Sequence, residues 1–429
     1  MAQTTPLRVG LAGVGTVGAA LVELLRERPE LANGRSIEVT AVSARSKGKA
    51  RGVDLAGVSW LDDPVQLAAR PDVDVVVELM GGADGAARDT VLVALNAGKP
   101  VVTGNKALIA THGLELARLA EAKGIPLLYE AAVRGGAPAV KLVREALAGD
   151  RIERLFGILN GTCNFILTEM ERSGRSFPEV LAEAQARGFA EADPTTDVGG
   201  FDAAHKLVIL AAIAFDAAPN LEGAEISGIG SIELIDIRLA HTLGYRIKLL
   251  ASAERDGAGA RVAVEPMLVP LGSPLAETGG ALNALYVQPK RVGPIFLQGA
   301  GAGGPATAAA VAADLADLAA GARRPVFSRP AADLAPLAAG DPLARSGSAY
   351  VRLTVRDRPG VIAAVSEALA EAQVSIDSFL QRPVEDSGHV PIVLTTQAAS
   401  QAALYYAVRH IAGIEALVEP PRVLRIARI

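Results

Sequence analysis

An α/β architecture is predicted by three observations. A glycine-punctuated strand-to-helix turn stands near the start, short apolar strands then alternate with helical stretches as far as residue 150, and a β-α-β-β-α-β succession restarts at residue 350. The expected organisation is a dinucleotide-binding domain over residues 1–150 and an α+β domain over 151–321. A linker follows at 322–349, and then a small ferredoxin-like domain at 350–429.

Residues 7–11 read as a short buried strand running into Gly13-Val14-Gly15-Thr16-Val17-Gly18, which opens the apolar helix 19–25. The first glycine makes the turn, the second lets backbone approach a pyrophosphate, and the third lets helix and strand pack closely. This context makes the front a Rossmann-type unit. The second strand, 37–43, ends in Ala44-Arg45-Ser46-Lys47 with no acid to hold a ribose 2'-hydroxyl. Arg45, backed by Lys47 and Lys49, suits a 2'-phosphate, so NADP is favoured and NAD left open. A solvated basic loop is the plainer alternative.

The apolar run 73–79 fits a parallel strand covered on both faces. Helix 87–97, strand 100–103 and the turn Gly104-Asn105-Lys106 repeat the alternation. Lys106 is thereby placed at the carboxyl end of a strand, where open α/β sheets bind ligands. After helix 113–123, strand 126–130 leads into Ala131 to Pro138. Two glycines beside Glu130 can leave carbonyl oxygens free for a cation, although a plain turn with Pro138 near a helix start explains them as well.

From residue 151 the pattern changes to strand 152–159, turn 160–164, helix 165–172 and a helix over 178–187 that delivers Gly188. Next comes Glu191-Ala-Asp193-Pro-Thr-Thr-Asp197-Val-Gly-Gly-Phe-Asp202-Ala-Ala-His-Lys206. A helix over 201–215 carries Asp202 and Lys206 on one face within apolar surroundings. Burying an unpaired ammonium is costly, so such a lysine is paired or catalytic; an ordinary ion pair is the competing reading. Segments 262–269 and 286–292 read as strands of an antiparallel sheet. Residues 296–305 read as a strand and glycine-rich turn before helix 306–320, with 296–321 returning to the cofactor domain.

Net charge −5 without a long basic run argues against a nucleic-acid partner, and no run reaches the length of a membrane span. The single cysteine, Cys163, fits a reducing compartment, so a cytoplasmic location is expected.

The run from Asp193 to Lys206, with Thr103-Gly-Asn-Lys106, Asn160-Gly-Thr-Cys-Asn164 and the glycine turn at 299–304, resembles homoserine dehydrogenase along essentially the whole chain. The tail resembles an ACT domain, a module that commonly binds amino acids. The resemblance implies reversible NAD(P)H-linked reduction of L-aspartate 4-semialdehyde to L-homoserine, on the route to threonine and methionine. It makes Lys206 the proton donor, Lys106 a polarising cation, Glu191 the holder of the substrate ammonium, and Asp197 and Asp202 the groups that order the site. It places the cofactor on Gly13, Val14, Gly15, Thr16, Val17, Gly18, Lys106, Gly188 and Gly303. It also implies a monovalent cation, Na+, on Glu130, Val133, Gly135 and Ala137, feedback by L-threonine, and a homodimer or homotetramer. The chain departs from that pattern at Arg134 and Cys163. The alternative reading is a non-catalytic, NADP-responsive amino-acid sensor.

Overall fold

The computed structural model describes residues 5–429 apart from 33, 258, 342, 344 and 382–388. Its front sheet runs in the order Glu30–Ala32, Arg35–Ser43, Leu7–Ala12, Val75–Glu78, Val101–Thr103, Leu127–Leu128, with Ser59–Leu61 alongside Arg35–Ser43. Strands leave Leu7–Ala12 on both sides, and its pairings with Arg35–Ser43 and Val75–Glu78 are parallel. The strand order therefore reverses at the first strand, which opens a crevice at its carboxyl end. Val75–Glu78 is buried throughout, as its apolar run requires.

The second sheet has ten strands, and its central pair is Tyr245–Asp256 with Gly259–Pro270. Tyr245–Asp256 also pairs with Ile152–Ile158, which in turn pairs with Leu282–Pro289. On the far side Gly259–Pro270 meets Arg422–Ile426 through Met267 and Leu268, so the tail's sheet continues the middle one. The tail order, Arg422–Ile426, Ala349–Arg356, His389–Thr396, Ile376–Gln381, is that of a ferredoxin-like unit.

Several expected elements shift. The helix expected over 113–123 begins at Lys106, because Asn105 caps it by accepting from Leu108 N at 3.0 Å. The turn expected at 160–164 is instead the first turn of helix Gly161–Ser173, capped by Asn160. Glu130–Val133 is a short helix where a strand end and turn were expected. Within 296–321, only the helix Gly304–Ala319 joins the front half, where Ala308, Val311 and Leu315 share a core with Leu7 and Leu21. Strand Ile295–Ala300 stays in the second sheet, paired with the neighbouring strand Leu282–Pro289.

The expected linker is a packed strap. Val326, Phe327, Ala331, Leu334 and Leu337 are buried, Glu121 accepts from the backbone of Val326 and Ala331, and Arg118 donates to Ala331 O and Leu334 O. The strap's apolar residues follow neither helical nor strand periodicity, so the segment read as a connector.

Candidate active site

Three residues meet where the two halves face each other. Asp202, in the first turn of helix Phe201–Phe215, accepts from Lys206 Nζ at 2.7 Å on Oδ2 and lies 3.0 Å from Lys106 Nζ on Oδ1. The helix brings Asp202 and Lys206 together one turn apart, while Lys106 arrives from the front half. Lys206 Nζ also donates to Leu159 O at 2.9 Å. Those two bonds leave one N–H of its ammonium free.

Lys106 is held by the ends of two front strands. The buried Glu78 carboxylate accepts from Thr103 Oγ1 at 2.6 Å and from Met80 N at 2.7 Å. Asn105 then ties the turn across to Gly82 O. Asn160, whose sequence motif marked the site without revealing a role, donates from Nδ2 to both Asp197 Oδ1 at 2.7 Å and Asp202 Oδ2 at 2.9 Å. An asparagine just before a helix signals only its cap, in which Oδ1 accepts from Cys163 N at 2.7 Å; the bridge made by Nδ2 has no local signal.

The remaining acids divide. Asp193 is exposed and caps its own turn through Thr195. Glu191 is exposed, yet its charge reaches Lys106. Cys163 is buried with its thiol on Asp197 O at 3.2 Å, and burial pushes that thiol's pKa well up.

The electrostatics separate the two lysines. Burial opposes the charge on Asp202, but Lys206 and Lys106 outweigh it and hold the carboxyl well below the usual range. Burial also opposes the charge on Lys106, and Asp202, Asp197 and Glu191 more than offset it, so this lysine's pKa rises. Lys206 moves the other way: burial, aided by the charge of Lys106, prevails over the attraction of Asp202 and lowers its pKa. Burial and the neighbouring Asp202 raise the pKa of Asp197 against the hydrogen bond from Asn160.

On the cofactor side, a Cβ on Gly13 would lie 2.7 Å from Leu79 O and one on Gly18 2.2 Å from Gly13 O, whereas one on Gly15 would meet nothing within 4 Å. The turn is thus tight at both ends and open in the middle, as pyrophosphate binding requires. Gly303 (φ +114°) caps the helix whose Gly304 would place a Cβ 3.0 Å from Thr16 O, so the two glycine turns lie together. Gly188 (φ +73°) follows the end of helix Phe177–Ala186, its N–H donating to Gln185 O at 3.0 Å, three residues before Glu191. Arg45 is exposed. Arg51, which the sequence reading did not single out, braces this rim by donating to Val14 O at 2.9 Å and Lys49 O at 2.7 Å while stacking over Trp60.

Glu130 is buried, and its carboxylate accepts from the backbone N–H groups of Ala139, Val140 and Lys141. Burial raises its pKa against those donors. No hydrogen bond to the carbonyl oxygens of Val133, Gly135 or Ala137 is found among the described residues. Arg134 points away from this turn, donating to Asn283 O at 2.9 Å in the second sheet, so its bulk does not fill it.

A family model described as homoserine dehydrogenase matches residues 138–316, and one described as homoserine dehydrogenase, NAD binding domain, matches 13–130. The homoserine dehydrogenase of Pseudomonas aeruginosa is 41% identical with 99% of each chain covered, and that of Neisseria gonorrhoeae 39% identical with 98% covered. The chain belongs to the homoserine dehydrogenase family. It is accordingly an oxidoreductase with a nicotinamide-dinucleotide domain in front, and an ACT domain model matches residues 349–405. The crystal structure of a homoserine dehydrogenase from Thiobacillus denitrificans, 40% identical, matches with a TM-score of 0.93 over 99% of both chains. A hyperthermophilic archaeal homoserine dehydrogenase in complex with NADPH, 26% identical, matches with a TM-score of 0.65 over 75% of this chain and 100% of that one. Among the described residues no helix is long and apolar enough to cross a membrane.

Proposed function

We propose that the chain interconverts L-homoserine and L-aspartate 4-semialdehyde at the cluster of Lys106, Asp202 and Lys206, with NADP as the preferred cofactor. The observation that carries this reading is one buried carboxylate shared by two lysines whose pKa values move in opposite directions. Such a separation suits one group to move a proton and the other to remain charged. Lys206 would take the hydroxyl proton of homoserine during oxidation and return it during reduction. Lys106 would stabilise the alkoxide-like oxygen, and Asp202 would hold both amines in place. Glu191 would receive the substrate ammonium, and Asp197, fixed by Asn160, would order the pocket.

The open backbone at Gly15 and the neighbouring turn at Gly303 support dinucleotide binding across residues 13–18, with Gly188 and Lys106 on its nicotinamide side and Arg45 on a 2'-phosphate. When bound, the dinucleotide accepts or supplies the hydride. The buried Glu130 and the carbonyls of Val133, Gly135 and Ala137 form a donor set suited to Na+, a hard monovalent cation that would offset the cost of the buried carboxylate.

In the tail, a cavity of about 550 Å³ beside Arg356, Arg358 and Gly360 supports L-threonine as an effector. The exposed Ile376 and Phe379 on edge strand Ile376–Gln381 support assembly as a homodimer or homotetramer. Identical kinetics with and without threonine, or a monomer by sedimentation, would remove these two assignments. The reaction itself is tested by following reduced-cofactor absorbance with L-homoserine and either NADP or NAD. Homoserine-dependent reduction, faster with NADP, is expected. Cofactor binding without turnover would instead support a sensor.

A further inference from the structure

Asn283, near the start of strand Leu282–Pro289, is 1% exposed, and its side chain makes a single hydrogen bond. Nδ2 donates to Leu159 O at 3.0 Å, while Oδ1 is buried with no hydrogen-bond partner among the described residues. A half-satisfied buried amide costs stability, so its one bond needs a reason. Leu159 O is the same carbonyl that accepts from Lys206 Nζ at 2.9 Å. A carbonyl oxygen has two lone pairs, one for each donor, so amide and amine are set side by side.

The same side chain underlies the cofactor turn. A Cβ on Gly301 would overlap Asn283 Cγ, Nδ2 and Oδ1, so the backbone that leads to Gly303 lies directly on the amide. The front half holds this arrangement from the other side. Arg134, buried and without a carboxylate at hydrogen-bonding distance among the described residues, donates to Asn283 O at 2.9 Å. Gly136 N donates to Ala300 O at 2.9 Å, and Asn283 faces Gly299 in the strand pair. One residue thus joins the carbonyl that holds Lys206, the glycine turn at 299–303 and the segment after Glu130.

We propose that Asn283 is a positioning residue for the reaction, fixing Lys206 relative to the cofactor turn. This role, which rests on Lys206 being the proton-transfer group, is exerted through Leu159 O and the backbone of Gly301. The amide N–H also presents the positive end of a dipole beside Lys206, which disfavours the ammonium and adds to the effect of burial.

The test compares Asn283→Ala with the unaltered chain in homoserine oxidation by NADP, through kcat and KM across pH, NADP affinity by calorimetry, and a melting curve. Oxidation needs Lys206 neutral to take the hydroxyl proton, so the rate rises with pH through its titration. In the variant kcat should fall about tenfold or more, NADP affinity should hold, and the acid limb of the profile should move to higher pH. An unmoved limb or an unchanged kcat, with or without a lower melting temperature, is what a purely structural asparagine would give and overturns the role. Gly301→Ala, whose methyl would push the amide off Leu159 O, should shift the limb in the same direction and keeps the test open if Asn283→Ala does not fold. An unmoved limb in Gly301→Ala overturns the role as well. Absence of homoserine-dependent turnover in the unaltered chain removes the reaction together with this role, whereas a fully active Asn283→Ala removes the role alone.

Discussion

Lys106, at the start of a front-half helix, reaches 3.0 Å to Asp202 in the first turn of a second-half helix. The contact crosses the junction of two sheets and makes one carboxylate the anchor for chemistry drawn from both. Asp202→Asn keeps the shape and removes the charge. Breaking a buried ion pair from one side costs about 3–5 kcal/mol, so this variant should melt markedly lower. It should also lose turnover by about 10²-fold or more, the scale of a displaced general acid or base. Steady-state rates and a melting curve check both; wild-type turnover would show that the carboxylate is not needed to place the lysines.

Lys248 gives a pH prediction. It is buried in strand Tyr245–Asp256 and donates to Asn164 Oδ1 at 2.9 Å and Thr278 O at 2.7 Å. Burial lowers its pKa from 10.5 to about 8, with Glu171 opposing. A neutral amine has two N–H groups, enough for both acceptors. Between about 8 and 10.5 the unfolded chain binds this proton more strongly than the folded one. Stability from this group therefore rises with pH across that window. Melting temperatures of wild type and Lys248→Gln at neutral and alkaline pH should diverge in favour of wild type as pH rises; a constant difference would contradict this.

The tail is joined to the middle by a buried pair, Arg352 Nε to Asp236 Oδ1 at 2.7 Å, with the Tyr350 hydroxyl on the same oxygen at 3.2 Å. Asp236→Ala should destabilise by roughly 3 kcal/mol because it leaves the guanidinium buried beside less of its counter-charge. Asp236→Ala/Arg352→Met should recover part of that loss. Denaturant melts of wild type, Asp236→Ala, Arg352→Met and the double variant decide it, and a double variant as unstable as the sum of the two single losses would argue against coupling.

For the Glu130 turn, rates measured while Na+ replaces tetramethylammonium at fixed ionic strength should rise to saturation. Glu130→Gln should weaken that dependence. Equal rates in the two salts would remove the cation from the account.

The sequence revealed most where charge broke an apolar pattern. Helix Phe201–Phe215 was expected with the bounds it has, since Asp202 and Lys206 stand out in its run, and the glycine turn at 13–18 carried its own strand and helix. Strand Tyr245–Asp256 was missed although it is central to the second sheet: Lys248 interrupts its apolar run, and a buried lysine with only neutral partners leaves no pairing for the eye to follow. The bridging of two acids by Asn160 and the brace of Arg51 behind the glycine turn depend on contacts between distant segments. No local pattern records such contacts.

The most direct measurement is the turnover of Lys206→Ala with L-homoserine and NADP, beside its affinity for NADP by fluorescence or calorimetry. The account predicts loss of most turnover, about 10²-fold or more, with cofactor affinity nearly retained. Turnover equal to that of the unaltered chain would contradict the proton-transfer role of Lys206 and the central claim with it.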